Sequence, residues 1–231
     1  METLLPPLDL VAIGWFALVW SAYSYLVEKS RWSRRSLSLA MDAQRHVWMR
    51  TMAAREQRIV DASILAGLQN GTAFFASTAV LAIGGAFALL TSADQMLLIF
   101  SHLSPDGPMS RRELELRGLG LLLVYAYAFF KFGWSYRLFN YASILVGAVP
   151  PPAECATPAG QEAVCRAGDM MVSAGRHFNR GMRAFFFSVG FIGWFVGPWS
   201  FMLATTLIAV VLARRQFVSD PYRAVHGPGA A

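Results

Sequence analysis

Four long apolar stretches, almost free of charge, constrain this chain more than any other feature. They cover approximately residues 8–27, 62–93, 118–139 and 184–213. A helix rises 1.5 Å per residue, so about 20 apolar residues cross a hydrocarbon layer about 30 Å thick. Because the stretches are continuous rather than alternating, they favour helices over the strands of a barrel. The sequence therefore predicts an all-α fold: an integral membrane four-helix bundle over residues 1–215, followed by a flexible tail over 216–231.

The composition supports this class and argues against nucleic acid as a partner. Charged residues make up 15% of the chain, whereas a soluble domain carries about 25%. The formal net charge is +6, and the positive residues stand beside the apolar stretches. Such an arrangement favours the bilayer and its anionic lipid headgroups as partners.

Lysine and arginine also orient the predicted spans. The connection 28–61 contains eight of them, and the segment after the third span contains Arg137, Arg166, Arg176, Arg180 and Arg183. The other side has three between the second and third spans and three in the tail. Because the richer side faces the cytoplasm, the sequence predicts a multi-pass protein of the bacterial inner membrane with both termini outside. Cys155 and Cys165 are then cytoplasmic and reduced.

Two connecting segments have the pattern of amphipathic helices. In the first, one face collects the apolar residues Leu37, Met41, Trp48, Met52 and Ile59, and arginines occupy much of the rest. This helix lies on the inner leaflet or packs under the bundle. The second, over 161–182, leads into the fourth span. We therefore expect one or two amphipathic cytoplasmic helices.

Polar residues inside or beside the apolar stretches form a candidate intramembrane site. Its members are Lys131, Arg137, Asn140, Asn70 and Gln69. A cation within a membrane helix is costly and therefore a functional candidate. The alternative is that Lys131 snorkels to the inner headgroups and Arg137 is an interfacial anchor beside an aromatic belt.

Glycines and a proline predict how the helices pack. The pairs Gly67/Gly71 and Gly193/Gly197 have the GxxxG spacing that lets helix backbones approach closely, and we favour contacts within the bundle over a subunit interface. Pro198 predicts a kink in the fourth span.

A second candidate is basic. Arg176, Arg180 and Arg183 are spaced so that they share one helix face, which predicts a lipid-facing collar on the inner leaflet. The alternative is an anion or phosphate site. Acidic residues near the same surface are expected to pair with the arginines: Glu28, Asp42, Asp61 and Asp169.

Motifs of catalysis and of metal binding are absent from the sequence. It contains no GxSxG, P-loop or GxGxxG motif, no paired-acid spacing and no cysteine–histidine ligand pattern. We therefore expect no enzyme activity, no metal site and no cofactor.

Three motifs resemble a known family. They are FKFGWSYRLFNY (130–141), AGRHFNRGMRAFFF (174–187) and GWFVGPW (193–199). They look like those of a family of small four-helix membrane proteins of bacteria, with relatives in plants. It is catalogued as a domain of unknown function, number five hundred and ninety-nine in its series. The resemblance covers nearly the whole chain and implies a fold, but no activity and no site residue.

Two functions stay open at this point. The first is a structural or interaction protein whose basic cytoplasmic face organises lipid or a partner complex. The second is an oligomeric channel or transporter for a small, including an anionic, solute. Either one allows a homo-oligomer or a larger membrane complex.

Overall fold

A computed structural model describes residues 5–101 and 109–226 of the chain. Within these ranges the regular secondary structure is helical throughout. The α-helices are α1 (Pro7–Glu28), α2 (Leu37–Ala53), α3 (Ile59–Thr91), α4 (Ala93–Ser101), α5 (Arg111–Gly147), α6 (Pro152–Cys155), α7 (Pro158–Ile192), α8 (Pro198–Phe217) and α9 (Asp220–His226). Short 3-10 helices cover Arg31–Arg35 and Gly193–Phe195.

Four helices are long and apolar enough to cross a membrane, which confirms the predicted fold class. They are α1, α3, α5 and the segment Pro198–Val225 that begins with α8. The first agrees with the predicted stretch 8–27, whereas α5 is 37 residues long and extends beyond 118–139 at both ends. Its start carries charge, and Arg111 pairs with Glu115 one turn later at 3.0 Å. Such pairs support a helix outside an apolar stretch.

The predicted fourth span, 184–213, is two helices rather than one kinked helix. α7 ends at Ile192, a 3-10 turn follows, and α8 begins at Pro198. Proline lacks the N–H that a continuing helix would need, but it is well suited to the first turn of a new helix. The chain therefore stops and restarts here, where the sequence predicted a bend.

Contacts divide the chain into two compact units. Unit 1 contains the described residues within 1–37, 79–127 and 183–231, and unit 2 contains residues 38–78 and 128–182. The helices α3, α5 and α7 each contribute residues to both units.

In unit 1, α1 and α8 run in the same direction. Trp15 Nε1 donates a hydrogen bond to Thr206 Oγ1 at 3.1 Å, and further along both helices Gln216 hydrogen-bonds to the Tyr23 hydroxyl. An aromatic cluster lies beside this contact, with ring centroids 5–6 Å apart; its members are Phe16, Trp20, Phe187, Phe191, Trp194 and Phe201. Edge and stacked contacts of this kind add to the burial of apolar area.

α7 and α8 form an antiparallel hairpin whose backbones nearly touch. A Cβ atom at Gly193 would lie 2.9 Å from the carbonyl oxygen of Ser200, and one at Gly190 would lie 3.2 Å from the Cα of Thr205. Gly193 therefore serves close packing inside the chain, but it lies in the 3-10 turn, so the pair Gly193/Gly197 does not form a GxxxG face on a continuous helix. Gly67 and Gly71 differ, because no described atom comes within 4 Å of the Cβ position at either glycine.

These directions separate the two ends of unit 1. The Asp9 end holds the start of α1 and the turn between α7 and α8, and the Glu28 end holds the ends of α1 and α8. If α1 and α8 both cross a membrane, the start of α1 and the end of α8 lie on opposite sides. The prediction of both termini outside assumed an uninterrupted fourth span, and the break at 193–197 removes that assumption.

In unit 2, α2 packs against α7 through small residues and methionines. Met49, Met52 and Met171 are almost completely buried. Gly168 and Gly175 make room for α2, because Cβ atoms there would come within 2.5 Å of the His46 ring and of the Arg45 guanidinium. The amphipathic pattern of α2 thus corresponds to packing against protein.

Part of the predicted tail is helical. α8 continues to Phe217, and α9 follows with Tyr222 buried. Residues 227–231 of that prediction lie outside the described residues.

The hairpin can be tested by cysteine labelling in intact cells. We replace Cys155 and Cys165 by serine and introduce single cysteines at two exposed positions, Ser110 near the Asp9 end and Ala224 in α9. A membrane-impermeant thiol reagent should label Ser110→Cys directly, but Ala224→Cys only after permeabilisation. The parent protein, which retains the exposed Cys165, is labelled in parallel to test the predicted cytoplasmic location of that cysteine. Labelling of both introduced cysteines in intact cells would restore the uninterrupted fourth span.

Candidate functional site

The predicted intramembrane site is assembled only in part. Gln69 Nε2 of α3 donates hydrogen bonds to Asn140 Oδ1 at 2.8 Å and to Ser143 Oγ at 2.9 Å, both on α5. These half-buried side chains join the two helices within unit 2. Sequence reasoning had not included Ser143, although it lies one turn after Asn140 on the same face.

The two cations of the predicted site lie elsewhere on α5. Lys131 is half-buried and precedes Asn140 by nine residues, which corresponds to about 13.5 Å along the helix and to its opposite face. Arg137 is exposed, and its Nε donates to the Tyr141 hydroxyl at 2.6 Å. Its guanidinium also lies over the Trp134 and Tyr141 rings, at 5.9 and 5.5 Å from their centroids.

This environment matches the alternative given for Arg137. An exposed arginine stacked on tryptophan and tyrosine is typical of an interfacial anchor. Asn70 is exposed on a different face of α3 from Gln69, since consecutive helical residues are about 100° apart. The five predicted residues therefore do not surround one site.

The predicted collar is not lipid-facing along its length. Arg176 is exposed and its Nε donates to Asp42 Oδ2 at 2.8 Å, and Arg180 is half-buried. Arg183 is only 8% exposed and forms an ion pair with Glu28. A buried guanidinium needs an ionic partner, and Glu28 is that partner although it is 155 residues away in sequence.

Three of the four acidic residues named from the sequence pair with arginine, as predicted. Glu28 pairs with Arg183, Asp42 with Arg45 and Arg176, and Asp61 with Arg55. Asp169 instead lies 3.5 Å from His46. Asp61 is 1% exposed, and its Oδ1 also accepts a hydrogen bond from Trp48 Nε1 at 2.7 Å.

The Asp42 pairs hold a desolvated arginine in unit 2. Burial lowers the pKa of the Arg45 guanidinium and the charge of Arg176 lowers it further, whereas Asp42 raises it. Arg45 Nη1 donates to Asp42 Oδ1 at 2.7 Å. Asp42 is buried and accepts hydrogen bonds from both Arg45 and Arg176. This group therefore joins α2 to α7, and its charges are not available to a ligand.

Sequence reasoning missed a buried ionic group at the Asp9 end of unit 1. Asp9 is 2% exposed and Arg117 is 5% exposed, and Arg117 Nη2 donates to Asp9 Oδ1 at 3.2 Å. Trp194 Nε1 donates to the same oxygen, and Arg117 Nη1 donates to the Trp194 carbonyl at 2.7 Å. The signal in the sequence was Asp9 itself, a lone acid at the start of an apolar stretch.

A surface that we call the basic rim occupies the Glu28 end of unit 1. Its seven members are all exposed: Lys29, Arg31, Arg34, Arg35, Arg214, Arg215 and Arg223. The exposed Trp32 stands among them in the 3-10 helix after α1. The acidic residues nearby are Glu28, which is paired with Arg183, and Asp220, which lies 3.8 Å from Arg223. The rim therefore carries a strong net positive charge.

The comparisons with known proteins give a family and nothing narrower. A family model described as "Protein of unknown function, DUF599" matches residues 11–221. No curated protein and no solved structure matches the chain. The described residues also contain no group of three or more histidine, cysteine, aspartate or glutamate side chains arranged to hold a metal ion.

The buried ionic group should contribute strongly to stability. Asp9→Ala leaves the Arg117 charge buried without its carboxylate, and we expect a loss of about 3–5 kcal/mol in the free energy of unfolding in lipid bicelles. Asp94→Ala is the matched control, because Asp94 pairs with Arg111 while its side chain is 82% exposed. That change should cost less than about 1 kcal/mol.

If Asp9→Ala does not fold, the pair can be replaced by apolar residues. Asp9→Leu combined with Arg117→Met removes both charges and should recover most of the stability. Equal losses for Asp9→Ala and Asp94→Ala would contradict the importance of the buried group.

Proposed function

We propose that this chain, which belongs to the DUF599 family of proteins of unknown function, is a non-enzymatic membrane protein that binds anionic lipid headgroups through its basic rim. The observation that supports this function most directly is the grouping of seven exposed cations at the one end of unit 1 where α1 and α8 both end. Each lysine or arginine near an anionic leaflet contributes about 1 kcal/mol of attraction.

The position of Trp32 supports the same function. It is 61% exposed and follows Arg31 directly, with Arg34 and Arg35 in the same short helix. Tryptophan is enriched at the headgroup level, where its ring is in apolar surroundings and its N–H is hydrated. A tryptophan among arginines at the end of a span-length helix is therefore suited to the interface between lipid and water.

The charge at the opposite end of unit 1 gives the proposed orientation. That end contains Arg111, Arg112 and Arg117, of which Arg117 is buried with Asp9. It also contains the acids Asp94, Glu113 and Glu115. Because cytoplasmic segments carry the excess of lysine and arginine, the proposed location is the bacterial inner membrane with the basic rim in the cytoplasm.

Fluorescence quenching in nanodiscs tests the headgroup preference. Two preparations contain the same mixture of phosphatidylglycerol and phosphatidylcholine, with brominated chains on one lipid or on the other. The Trp32 signal is the difference between wild type and Trp32→Phe. We expect brominated phosphatidylglycerol to quench it more strongly, because the rim enriches anionic lipid locally.

The matched variants neutralise arginines at the two ends of unit 1. Replacing Arg31, Arg34 and Arg35 by glutamine should remove most of the preference, whereas replacing Arg111 and Arg112 by glutamine should leave it unchanged. High salt should also weaken the preference, since exposed charges are screened. Equal quenching by the two brominated lipids in wild type would refute the proposed function.

The alternative of an anion conduit has its own test at Lys131. Methionine fills a similar volume and carries no charge, so Lys131→Met would reduce a flux that depends on this cation. In liposomes with matched protein amounts we expect equal anion flux for wild type and Lys131→Met. Flux present only in wild type would favour the oligomeric channel or transporter over lipid binding.

A further inference from the structure

A narrow groove runs between α3 and α5 within unit 2. Its volume is about 260 Å³, which is below the about 300–1,000 Å³ of a pocket for a drug-sized molecule. Its lining includes Arg58, Ala62, Ala66, Gln69, Ser143 and Gly147. Because the lining extends along α3 from Arg58 to Gln69, the groove suits a segment of one extended chain better than a compact ligand.

Small side chains keep the groove open. Ala62 and Ala66 stand one turn apart on α3, and Gly147 faces them from the end of α5. No described atom lies within 4 Å of the Cβ position at Gly147. Water binds poorly in a groove with an apolar floor, because it finds few hydrogen-bond partners there. An apolar occupant is therefore more stable in the groove than water. Both helices are of membrane-spanning length, and the apolar material around such helices is lipid.

The two ends of the groove are polar in different ways. At one end the Arg58 guanidinium is fixed, because Nη1 and Nη2 donate to the carbonyl oxygens of Val149 and Pro150 at 2.6 Å each. These carbonyls are neutral and leave the arginine charge uncompensated, and none of the lining residues is acidic. At the other end, about 16.5 Å further along α3, lies the Gln69–Ser143 hydrogen bond.

We propose that the groove binds one acyl chain of an anionic phospholipid, with the lipid phosphate at Arg58. Charge complementarity determines the occupant: a fixed guanidinium at the mouth suits a phosphate, and the alanine and glycine floor suits a methylene chain. The inference shares the membrane setting of the proposed function but uses different residues in a different unit. It assigns a discrete lipid site in addition to the diffuse attraction of the basic rim.

Native mass spectrometry of the purified protein tests this site. Detergent-solubilised protein is titrated with phosphatidylglycerol and, separately, with phosphatidylcholine. Gly147→Leu fills the groove from a position with open space around it, and we expect the tightest phosphatidylglycerol site to weaken by at least about tenfold, one 1.4 kcal/mol step. Gly85→Leu is the matched control, because Gly85 also has open space around its Cβ position but lies outside the groove. It should bind as wild type does.

A second pair of variants distinguishes binding of the lipid acyl chain from binding of the lipid headgroup. Arg58→Gln should lower the preference for phosphatidylglycerol over phosphatidylcholine while a lipid still binds. Ala66→Leu fills the groove from α3 and should reproduce the loss seen with Gly147→Leu. Wild-type binding by both filled variants would overturn the proposal. So would a change from dimer to monomer in Gly147→Leu without loss of lipid, because the occupant would then be a second copy of the chain.

The outcome is distinguishable from failure of the proposed function. Replacing Arg31, Arg34 and Arg35 by glutamine should leave the tight lipid in the groove. Gly147→Leu should leave Trp32 quenching by brominated phosphatidylglycerol unchanged. If the rim variant instead removed the tight lipid, the site would belong to the rim and the groove would be empty of lipid.

Discussion

A polar group inside a membrane-length helix has no water to satisfy it, and this constraint accounts for the polar contacts that Asp9 and Gln69 make with distant helices. Asp9 stands two residues into α1, where a lone carboxylate would be costly, and Arg117 and Trp194 both donate to it. On α3, Gln69 meets Asn140 and Ser143. These side chains are far apart in sequence, so satisfying them also fixes which helices become neighbours within each unit.

The same constraint applies to the backbone where a helix ends. The last carbonyls of a helix have no N–H partner within it. After α7 the carbonyl of Trp194 accepts from Arg117, and after α5 the carbonyls of Val149 and Pro150 accept from Arg58. Two arginines thus stabilise two chain reversals. Arg117 lies on α5 and Arg58 directly precedes α3, so the end of one helix depends on the position of a distant part of the chain.

This dependence explains what sequence could and could not predict. Local pattern was enough for α1 and for the helical class, and spacing alone would have shown that Lys131 and Asn140 face opposite sides of α5. The break after Ile192 was seen only as a kink at Pro198, because the partner of the freed carbonyl, Arg117, is 77 residues away. Arg183 looked like a surface cation for the same reason, since nothing local indicated that Glu28 would accompany it into the interior.

The direction of α8 also changes how many arginines lie on each side of the membrane in the predicted topology. With an uninterrupted fourth span, Arg214, Arg215 and Arg223 fall on the outer side and weaken the charge bias that orients the chain. With α8 parallel to α1, they join Lys29, Arg31, Arg34, Arg35 and Arg183 at the Glu28 end of unit 1, against three arginines at the Asp9 end. The side-chain contacts that give the direction of α8 thereby place its arginines at the Glu28 end. The hairpin at 193–197 therefore determines both the membrane orientation that we propose and the composition of the basic rim.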